Sequence, residues 1–556
     1  MTTLQTQGVG EELSTTTAWR WAWLGVLLLP MVFGGALMWV GPRISADSAS
    51  YLECAGNITR GNGFLAGLFD GLDPQRWRAM SLWPPGYPLM VAGGMKLGLS
   101  APVAGMVVAA GSTLAALAMI AGWFASRFPA RVALPLVLIF AAMAGLARYF
   151  SMCWADGPYL ALTVASFLLM VRSLRTEKAV LWWAAMSGVL AGFAWCVRNV
   201  GLSLIGAIGL FLVLQLLLAQ SGRRGVVRLA AWGAGVAVGG GWLAWHNIST
   251  FGKLSPYSMA PSNLGPVHNT LYTAYVVLKD FFVLPVAALK TDGVALVIGA
   301  AGLLMALILV WRVAPRALAG GIRKSLTRAV ALHDEATLVA MYALAYTAMI
   351  IVARSVYRWG EPISERYMVQ AYWGGLFLVG CFVASRPIQK GREGQEVRRR
   401  WITGLYAVLA LQLAWNVVYV GYFARQLGDR VQTRAVARSL LNQVKDGQIV
   451  LSDGYNVLRG YGGINARSLV EDPEDWPMYQ QDKFISACAA GQVWGVAIGN
   501  VAKARAGTYG PMIQQLVSDP ASLGFVAQQG YGDWAVVAWA GASGSLAPQR
   551  AEVKGR

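Results

Sequence analysis

Two aspartates lie where a polar stretch of the sequence meets a long apolar one. Asp47 comes a few residues after the first apolar segment, and Asp156 stands immediately before another. A carboxylate beside an apolar environment is costly unless it is paired or used, so both are candidates for a functional site. Tyr51 follows Asp47 by four residues, which places the two side chains on one face of a helix.

A purely structural interpretation competes at both positions. Asp47, Tyr51, Ala55 and Ile58 recur at helical spacing, which predicts a short helix along the outer interface with Asp47 in its first turn. An acidic residue there meets the helix dipole favourably or caps free amides, and spacing alone favours that role. Asp156 is followed two residues later by a proline, which is ordinary at the start of a helix.

Arginines indicate what the chemistry would act on. The topology derived below assigns eight of them to the outer membrane face, against the usual distribution of basic residues: Arg43, Arg60, Arg76, Arg78, Arg198, Arg354, Arg358 and Arg366. A single arginine there can snorkel or touch lipid headgroups. Several of them together with carboxylates predict a polar cavity that receives an anion, and the planar fork of arginine suits phosphate.

The cysteines and histidines do not indicate a metal centre or a disulfide framework. The five cysteines are far apart and form no CxxC motif, and the three histidines are scattered: Cys54, Cys153, Cys196, Cys381 and Cys488, and His246, His268 and His333. We therefore expect no cofactor and no divalent metal ion at the site.

The composition decides what class of protein must position these side chains. The 556 residues are 56% hydrophobic and only 13% charged, whereas a soluble domain has roughly twice that charged fraction. This composition excludes a soluble enzyme, a disordered regulator and a fibrous protein, and it leaves an integral membrane protein. The net charge of +19 is then explained by basic residues in cytoplasmic loops and not by nucleic-acid binding.

Long apolar runs predict about eleven transmembrane helices. They lie at residues 19–40, 101–126, 132–150, 157–173, 179–198, 200–219, 226–246, 291–312, 336–354, 368–385 and 402–422. Arginine and lysine clusters fall in alternate loops, which places the amino terminus in the cytoplasm and the carboxyl terminus outside. Residues 86–98 are apolar but too short to cross, so we expect a helix in the outer interface.

The sequence divides into three parts. Residues 1–18 are polar and predict a disordered cytoplasmic terminus, and residues 19–422 form the transmembrane domain with a large first outer loop at 42–100. Residues 423–556 have an ordinary soluble composition, with short apolar runs at 448–452, 493–498 and 534–539 that read as buried strands. Amphipathic stretches separate these runs, which predicts an extracytoplasmic α/β domain at the active-site mouth.

The motifs, in their order, resemble the membrane-embedded GT-C glycosyltransferases, in the branch of protein O-mannosyltransferases and aminoarabinose-type lipid A transferases. The matching elements are Asp47 with Tyr51, the run Arg60-Gly61-Asn62-Gly63-Phe64, the proline-rich segment 84–88, Asp156, Gly192 to Arg198, Trp245-His246-Asn247 with Phe251-Gly252, and Glu365-Arg366-Tyr367. They cover residues 20–255 well and 355–370 locally. The chain departs from the family at Asp156-Gly157-Pro158, where the family usually has Glu-Pro.

The resemblance implies an inverting transfer of a sugar from a polyprenyl-phosphate donor to a lipid, glycan or protein acceptor. The reaction would occur at the outer face of a bacterial cytoplasmic membrane, with Asp47 as general base. Asp156 would orient the acceptor or the arginines, and Arg198 and Arg366 would contact the phosphate. The full set of expected substrate-binding residues is Tyr51, Arg60, Tyr87, Arg198, His246, Arg358, Arg366 and Tyr367.

A transporter or flippase of lipid-linked saccharides is the main alternative, because it would also span the membrane many times and carry polar residues. Transporters often show inverted repeats and charges at the bilayer midplane. Here the charges collect at the outer ends of the apolar segments and no symmetry between halves is visible. A different polyprenyl-dependent enzyme also remains open, as does a purely binding or scaffold role for residues 423–556.

Overall fold

The computed structural model describes most of the chain, and the statements below concern the described residues. These are residues 17–38, 44–67, 77–176, 179–219, 222–257, 261–282, 292–317, 335–358, 362–385, 392–424, 427–445, 448–462, 464–468, 481–506, 511–528 and 534–540. Residues 1–16 of the predicted terminus 1–18 and residues 541–556 lie outside this set, as do Arg43 and Arg76.

Helices dominate the first three quarters of the chain. They are α1 (Thr17–Leu37), α2 (Ala46–Thr59), α3 (Gly86–Lys96), α4 (Ala101–Arg127), α5 (Ala130–Ala141), α6 (Ala144–Ser151), α7 (Asp156–Arg175), α8 (Val180–Val197), α9 (Gly201–Ala219), α10 (Gly222–Phe251), α11 (Pro266–Phe282), α12 (Asp292–Ala317), α13 (Glu335–Val356), α14 (Glu365–Ser385) and α15 (Arg392–Ala424). A two-stranded antiparallel hairpin, β1 (Leu65–Gly67) with β2 (Trp77–Ala79), interrupts them in the first predicted outer loop.

Eight of the described helices are long and apolar enough to cross a membrane: α4, α7, α8, α9, α10, α13, α14 and α15. Two shorter apolar helices, Trp23–Leu37 and Gly293–Met305, coincide with the first and eighth predicted spans. The chain is thus a polytopic helical membrane protein, as its composition predicts, while the total of eleven spans stays a prediction. The short apolar segment after the proline-rich motif forms α3, which has 11 residues.

One predicted span is broken. Residues 132–150 were expected to form a single helix, but α5 and α6 meet there at an angle of 55°. A break inside an apolar region leaves backbone groups without helical partners, and these must be satisfied within the protein. The side-chain amide of Asn416 on α15 donates to the carbonyl of Ala142 at this break. A distant residue therefore stabilises the bend, which explains why local sequence did not predict it.

The helices α8 and α10 pack closely because glycines line their contact. A Cβ built on Gly192 would lie 2.5 Å from the backbone nitrogen of Gly240, and one built on Gly235 would lie 2.1 Å from the carbonyl oxygen of Ala185. Small residues allow helix backbones to approach closely in membranes, where packing replaces the hydrophobic effect as the main attraction. This contact fixes the end of α8, where Arg198 follows the last helical residue.

The carboxyl-terminal segment forms a small α/β unit, as predicted. Its helices are α16 (Leu427–Leu441), α17 (Tyr455–Gly462), α18 (Gln481–Ala489), α19 (Val501–Arg505) and α20 (Pro511–Ser518). Its strands are β3 (Ile449–Ser452), β4 (Asn465–Ser468), β5 (Val493–Ile498), β6 (Phe525–Gln528) and β7 (Ala535–Trp539), in the sheet order β4-β3-β5-β7-β6.

The sheet is mixed; β3, β4 and β5 are buried throughout, whereas the edge strand β6 is largely accessible to solvent. β3 pairs in parallel with both β4 and β5, whereas β7 pairs antiparallel with β5 and β6. Apolar side chains from both faces form two small cores against the helices. The three strands predicted from apolar runs correspond to β3, β5 and β7. The polar sequence of β4 gives no apolar run, and the apolar run of β6 is only three residues long.

Candidate active site

The Asp47 carboxylate is not the cap of its helix. Ser45 takes the N-cap position of α2, and its hydroxyl accepts from the backbone N–H of Ser48 at 3.2 Å. The indole nitrogen of Trp154 donates to the same hydroxyl at 2.8 Å. Because Ser45 already caps α2, the carboxylate of Asp47 is directed to a different partner.

That partner is Arg366, in the first turn of α14. Its Nη2 lies 2.6 Å from Oδ2 of Asp47 and 3.3 Å from Oδ2 of Asp156. Its Nε donates to the same oxygen of Asp156, also at 3.3 Å. One guanidinium therefore joins two carboxylates that are more than one hundred residues apart in the sequence.

Arg198 completes the cluster from the opposite side of Asp156. It follows the end of α8, and its Nη1 forms an ion pair with Oδ1 of Asp156. Asp156 is fully buried and lies between two guanidinium groups, whereas the side chain of Asp47 is 23% exposed. Two carboxylates and two guanidinium groups balance in charge, which lowers the cost of burying them together.

Trp154 is a part of this site that sequence reasoning missed. The Cζ of Arg366 lies 3.7 Å from the centre of the Trp154 ring, and the Cζ of Arg148 lies 5.0 Å from it. A guanidinium over an indole face is held by the ring quadrupole, most strongly where water is excluded. Trp154 also binds the capping hydroxyl of Ser45, so one side chain connects the start of α2 with Arg366. Its position two residues before Asp156 was the available signal.

Aromatic side chains of α3 and of the loop before it pack against α2. The ring of Tyr51 meets that of Tyr87 edge to face at 5.0 Å and that of Trp83 at 5.9 Å. Tyr87 is fully buried, and its hydroxyl donates to the carbonyl of Gly105 at 2.8 Å. Burial, and then the charge of Asp47, raise the pKa of Tyr51 above the usual value for a phenol. These contacts give Tyr51 and Tyr87 packing roles, and their predicted roles as substrate contacts stay predictions.

The remaining predicted site residues lie in or at the ends of several helices. Tyr367 lies beside the cluster, since the Cζ of Arg366 is 5.5 Å from its ring centre. Arg60 is exposed at the end of α2 and donates to the side-chain oxygen of Asn57 at 3.0 Å. His246 belongs to an aromatic group with Phe64 and Trp242 at the end of α10, and Arg358 is exposed after α13. Their predicted roles as substrate contacts stay predictions.

A second charged cluster lies on the neighbouring face of α14. Glu365 pairs with Arg148 at 2.8 Å and with Lys279 at 3.4 Å, and Lys279 also approaches Asp280 at 3.6 Å. The hydroxyl of Tyr372 donates to Oδ2 of Asp280 at 2.5 Å, and the group lines a cavity of about 80 Å³. Burial raises the pKa of Asp280 on α11 to about 7. The cluster fixes α6, α11 and α14 to one another behind the Asp47 site.

The described residues contain no group of three or more His, Cys, Asp or Glu side chains that could hold a metal ion. The two aspartates of the site are instead bound by arginines. The arrangement offers a partly exposed carboxylate that can accept a proton, and beside it guanidinium groups that can stabilise a developing negative charge.

Comparison with solved structures supports this description at the level of the fold. Two crystal structures of ArnT from Cupriavidus metallidurans, one in the apo state and one bound to undecaprenyl phosphate, each match with a TM-score of 0.56 and 15% identity. Each match covers 96% of this chain and 100% of that one. The oligosaccharyltransferase AglB from Archaeoglobus fulgidus, solved with an inhibitory peptide and a dolichol-phosphate, matches with a TM-score of 0.49 and 12% identity.

For AglB the match covers 93% of this chain and 74% of that one. No protein-family model matches the chain, and no curated protein matches it by sequence. The structural likeness to ArnT spans nearly the whole length of both chains and includes the helical region that carries Asp47, Asp156, Arg198 and Arg366. The chain therefore has the fold of ArnT from Cupriavidus metallidurans.

Proposed function

We propose that this protein is an inverting glycosyltransferase that moves a sugar from a polyprenyl-phosphate donor to a lipid, glycan or protein acceptor. The observation that carries the proposal is the joining of Asp47 and Asp156 by Arg366, with Arg198 on the far side of Asp156. Four charged residues from four separate helices or helix ends converge at this point, and a membrane protein buries such a group at considerable cost. A catalytic role explains that cost.

In the proposed reaction, Asp47 takes up the proton of the acceptor and polyprenyl phosphate is the leaving group. Asp47 accepts the proton of the acceptor hydroxyl while the oxygen forms a bond to the anomeric carbon of the sugar. The bond between that carbon and the phosphate oxygen breaks, and the polyprenyl phosphate leaves with the electron pair. Since the leaving phosphate is stable as an anion, cations suffice to assist its departure. Attack from the face opposite the phosphate inverts the anomeric centre.

Arginines are the proposed contacts of the donor phosphate. Arg366 contacts both aspartates and Arg198 pairs with Asp156, and the side chain of Arg198 remains 14% exposed. Arg354, at the end of α13, adds a third guanidinium: it is 7% exposed, and its Nε and Nη1 have no hydrogen-bond partner among the described residues. A buried cation of this kind is stabilised when an anion binds beside it. The ArnT structure with undecaprenyl phosphate motivates the choice of a polyprenyl phosphate.

The proposed location is a bacterial cytoplasmic membrane, with the site at the outer face. The alternation of basic loops places the ends of α1, α8 and α13 outside, where the four charged residues meet. A lipid-linked donor could then reach the site from within the bilayer, and its sugar would face the acceptor. The nature of the sugar and of the acceptor is left to the experiment.

The experiment is a transfer assay with the purified full chain. The protein is incubated with a panel of polyprenyl-phosphate sugars and a membrane extract as the source of acceptors, and glycosylated product and released polyprenyl phosphate are measured. The proposal predicts both products for at least one donor. Movement of a donor across proteoliposome membranes without sugar transfer would contradict it and support a flippase.

A further inference from the structure

An ion pair ties the carboxyl-terminal domain to the helix that carries Asp47. Arg459 on α17 donates from Nε to Oε1 of Glu53 on α2 at 3.0 Å, and its Nη2 contacts Oε2 of the same carboxylate. The pair is enclosed, with side-chain exposures of 1% for Arg459 and 7% for Glu53. An exposed ion pair contributes little, but a buried two-point contact of this kind fixes geometry.

The hairpin strand β1 completes the contact. Nη2 of Arg459 donates to the carbonyl of Gly67 at 2.9 Å, and the N–H of Gly67 donates to Oε2 of Glu53 at 3.0 Å. A Cβ on Gly67 would lie 2.8 Å from Nη2 of Arg459, so a larger residue there would displace the ends of the paired side chains. On the next residue of α17, a Cβ on Gly460 would lie 2.7 Å from Ile44 at the entrance to α2. Both glycines allow the two parts of the molecule to come together.

The helix α2 is thereby held on both sides. Asp47 and Tyr51 lie one turn apart and are directed to Arg366 and to the aromatic side chains of α3 and its preceding loop. Glu53 is six residues after Asp47, about one and two-thirds turns, and so lies on a different face. Asn57, one turn after Glu53, donates to the carbonyl of Leu65 in β1 at 2.9 Å. One face of α2 serves the candidate site and another is anchored to β1 and α17.

We propose that Glu53 and Arg459 are positioning residues through which the carboxyl-terminal domain holds α2 and so fixes the carboxylate of Asp47. The domain then contributes to the reaction without supplying a reacting group. The catalytic consequence rests on the transferase function proposed above, whereas the mechanical link between the domain and α2 does not. The two parts can be tested separately.

The kinetic test compares variants at Arg459 and Glu53. Arg459→Ala leaves the Glu53 carboxylate buried without its partner, so α2 should shift and kcat should fall by about 10- to 100-fold, since small displacements of a catalytic group have effects of that size. Donor Kd should stay within about twofold, because the phosphate contacts lie on other helices. Arg459→Lys keeps the charge without the two-point contact and should fall between wild type and Arg459→Ala.

A double variant distinguishes the loss of positioning from a general folding defect. Glu53→Met with Arg459→Met removes both charges together, which is often tolerated in a buried site, and it should be faster than Arg459→Ala alone. Arg505→Ala changes an exposed arginine on α19 of the same domain and serves as the matched control, with unchanged kcat. A double variant slower than Arg459→Ala, or unchanged kcat in Arg459→Ala, would overturn the proposal.

Hydrogen exchange gives a readout that needs no activity. The amides of α2, residues 46–59, should exchange at least about tenfold faster in Arg459→Ala than in wild type, while those of α4 stay unchanged. The proposed link would be overturned if the amides of α2 exchanged at the same rate in Arg459→Ala and in wild type. If wild type transferred no sugar, the proposed function would fail, and the exchange result would still decide whether the pair holds α2.

Discussion

Arg366 joins the two carboxylates of the candidate site, and the shape of its side chain explains why an arginine stands there. Its guanidinium reaches Asp47 through Nη2 and Asp156 through both Nη2 and Nε, while Trp154 covers its face at 3.7 Å. An ammonium group is a compact point charge without a planar fork. A lysine at this position could approach one carboxylate well, but it could not hold both and stack on the indole.

A substitution series at Arg366 follows from this geometry. Arg366→Ala should weaken donor binding and lower transfer, because Asp47 loses its partner and the phosphate loses a cation. Arg366→Lys should restore only part of either property. Donor affinity and initial transfer rate, measured on the same preparations, check the prediction, with Arg198→Ala and Arg198→Lys as the parallel pair. Unchanged donor affinity in both alanine variants would leave Arg354 or Arg358 as the phosphate contact.

The second charged cluster predicts losses of stability of different size for substitutions at Glu365 and Asp280. Glu365→Gln leaves Arg148 and Lys279 without their shared carboxylate and should destabilise the protein by about 3 kcal/mol. Asp280→Asn can still accept from the Tyr372 hydroxyl and should cost about 1 kcal/mol or less. Thermal unfolding in detergent micelles measures both variants. Equal losses of stability would contradict the assignment of Glu365 as the central acid of the cluster.

Because the pKa of Asp280 is raised, the difference in stability between wild type and Asp280→Asn should depend on pH. With a pKa of about 7 in the folded protein and about 4 when unfolded, this carboxyl binds its proton more tightly in the fold. Its contribution to stability is therefore greatest below about pH 4 and is lost as the pH rises through 7. Asp280→Asn should lack this dependence, so the difference in melting temperature between it and wild type should change over that interval.

Sequence reasoning identified the charged residues of the site but not how they are joined. Asp47 was placed correctly in the first turn of a short helix, yet spacing alone favoured a capping role that Ser45 in fact performs. The capping serine and the acid are both ordinary first-turn residues, so local pattern cannot distinguish their partners. Arg366 lies 319 positions from Asp47, and only the packing of α14 against α5, α6 and α13 in the folded protein brings them together.

At the scale of elements, the position of Arg198 depends on the contact between α8 and α10. Glycines on both helices allow their backbones to approach, and Arg198 follows directly at the end of α8. Because Asp156 is fully buried against Arg198, any separation of α8 from α10 should move a charged group of the site. Close helix packing and site geometry are therefore linked through this one pair of helices.

A glycine substitution tests that link. Gly192→Ala places a Cβ 2.5 Å from the backbone nitrogen of Gly240, so the helices must separate, and both stability and transfer should fall. Gly241→Ala lies on the same α10, has no neighbour within 4 Å, and should behave as wild type. Melting temperature and transfer rate are measured for both variants. Equal behaviour of the two would show that the α8–α10 contact does not set the site.

Secondary-structure elements were predicted best where a single hydrophobic pattern was sufficient to identify them. The runs at 493–498 and 534–539 appear as β5 and β7 because they are apolar on both faces. The strand β4 reads Asn-Ala-Arg-Ser, and its burial depends on pairing with β3 and on partners such as the Asn465 oxygen that accepts from Arg467. Such a strand has no hydrophobic signature, so only the assembled sheet reveals it.

At the scale of the whole molecule, the basic loops predict which side of the membrane each part faces. They place the carboxyl-terminal domain outside, on the same side as α2. The structure brings these parts into contact through Glu53 and Arg459, which agrees with a shared side. On this prediction, the α/β domain and the candidate site lie together on the extracytoplasmic side of the membrane.

Cysteine labelling in intact spheroplasts tests this orientation. Lys503→Cys introduces a thiol at an exposed position of α19 and should react with a membrane-impermeant maleimide before lysis. Glu396→Cys, exposed at the start of α15 and predicted to be cytoplasmic, should react only after lysis. The native cysteines give little background, because four are buried and Cys381 is partly buried. The reverse order of labelling would contradict the predicted topology.

The role of Asp47 as general base is the central claim, and one substitution tests it most directly. Asp47→Asn keeps the shape of the side chain and an oxygen that can accept from Arg366, while Ser45 continues to cap α2. The variant loses the negative charge beside Arg366 and, with it, the ability to take a proton, so transfer from a polyprenyl-phosphate sugar should fall by about 10² to 10⁴. Donor Kd and membrane insertion should remain close to those of wild type. Turnover at the wild-type rate in Asp47→Asn would contradict the account.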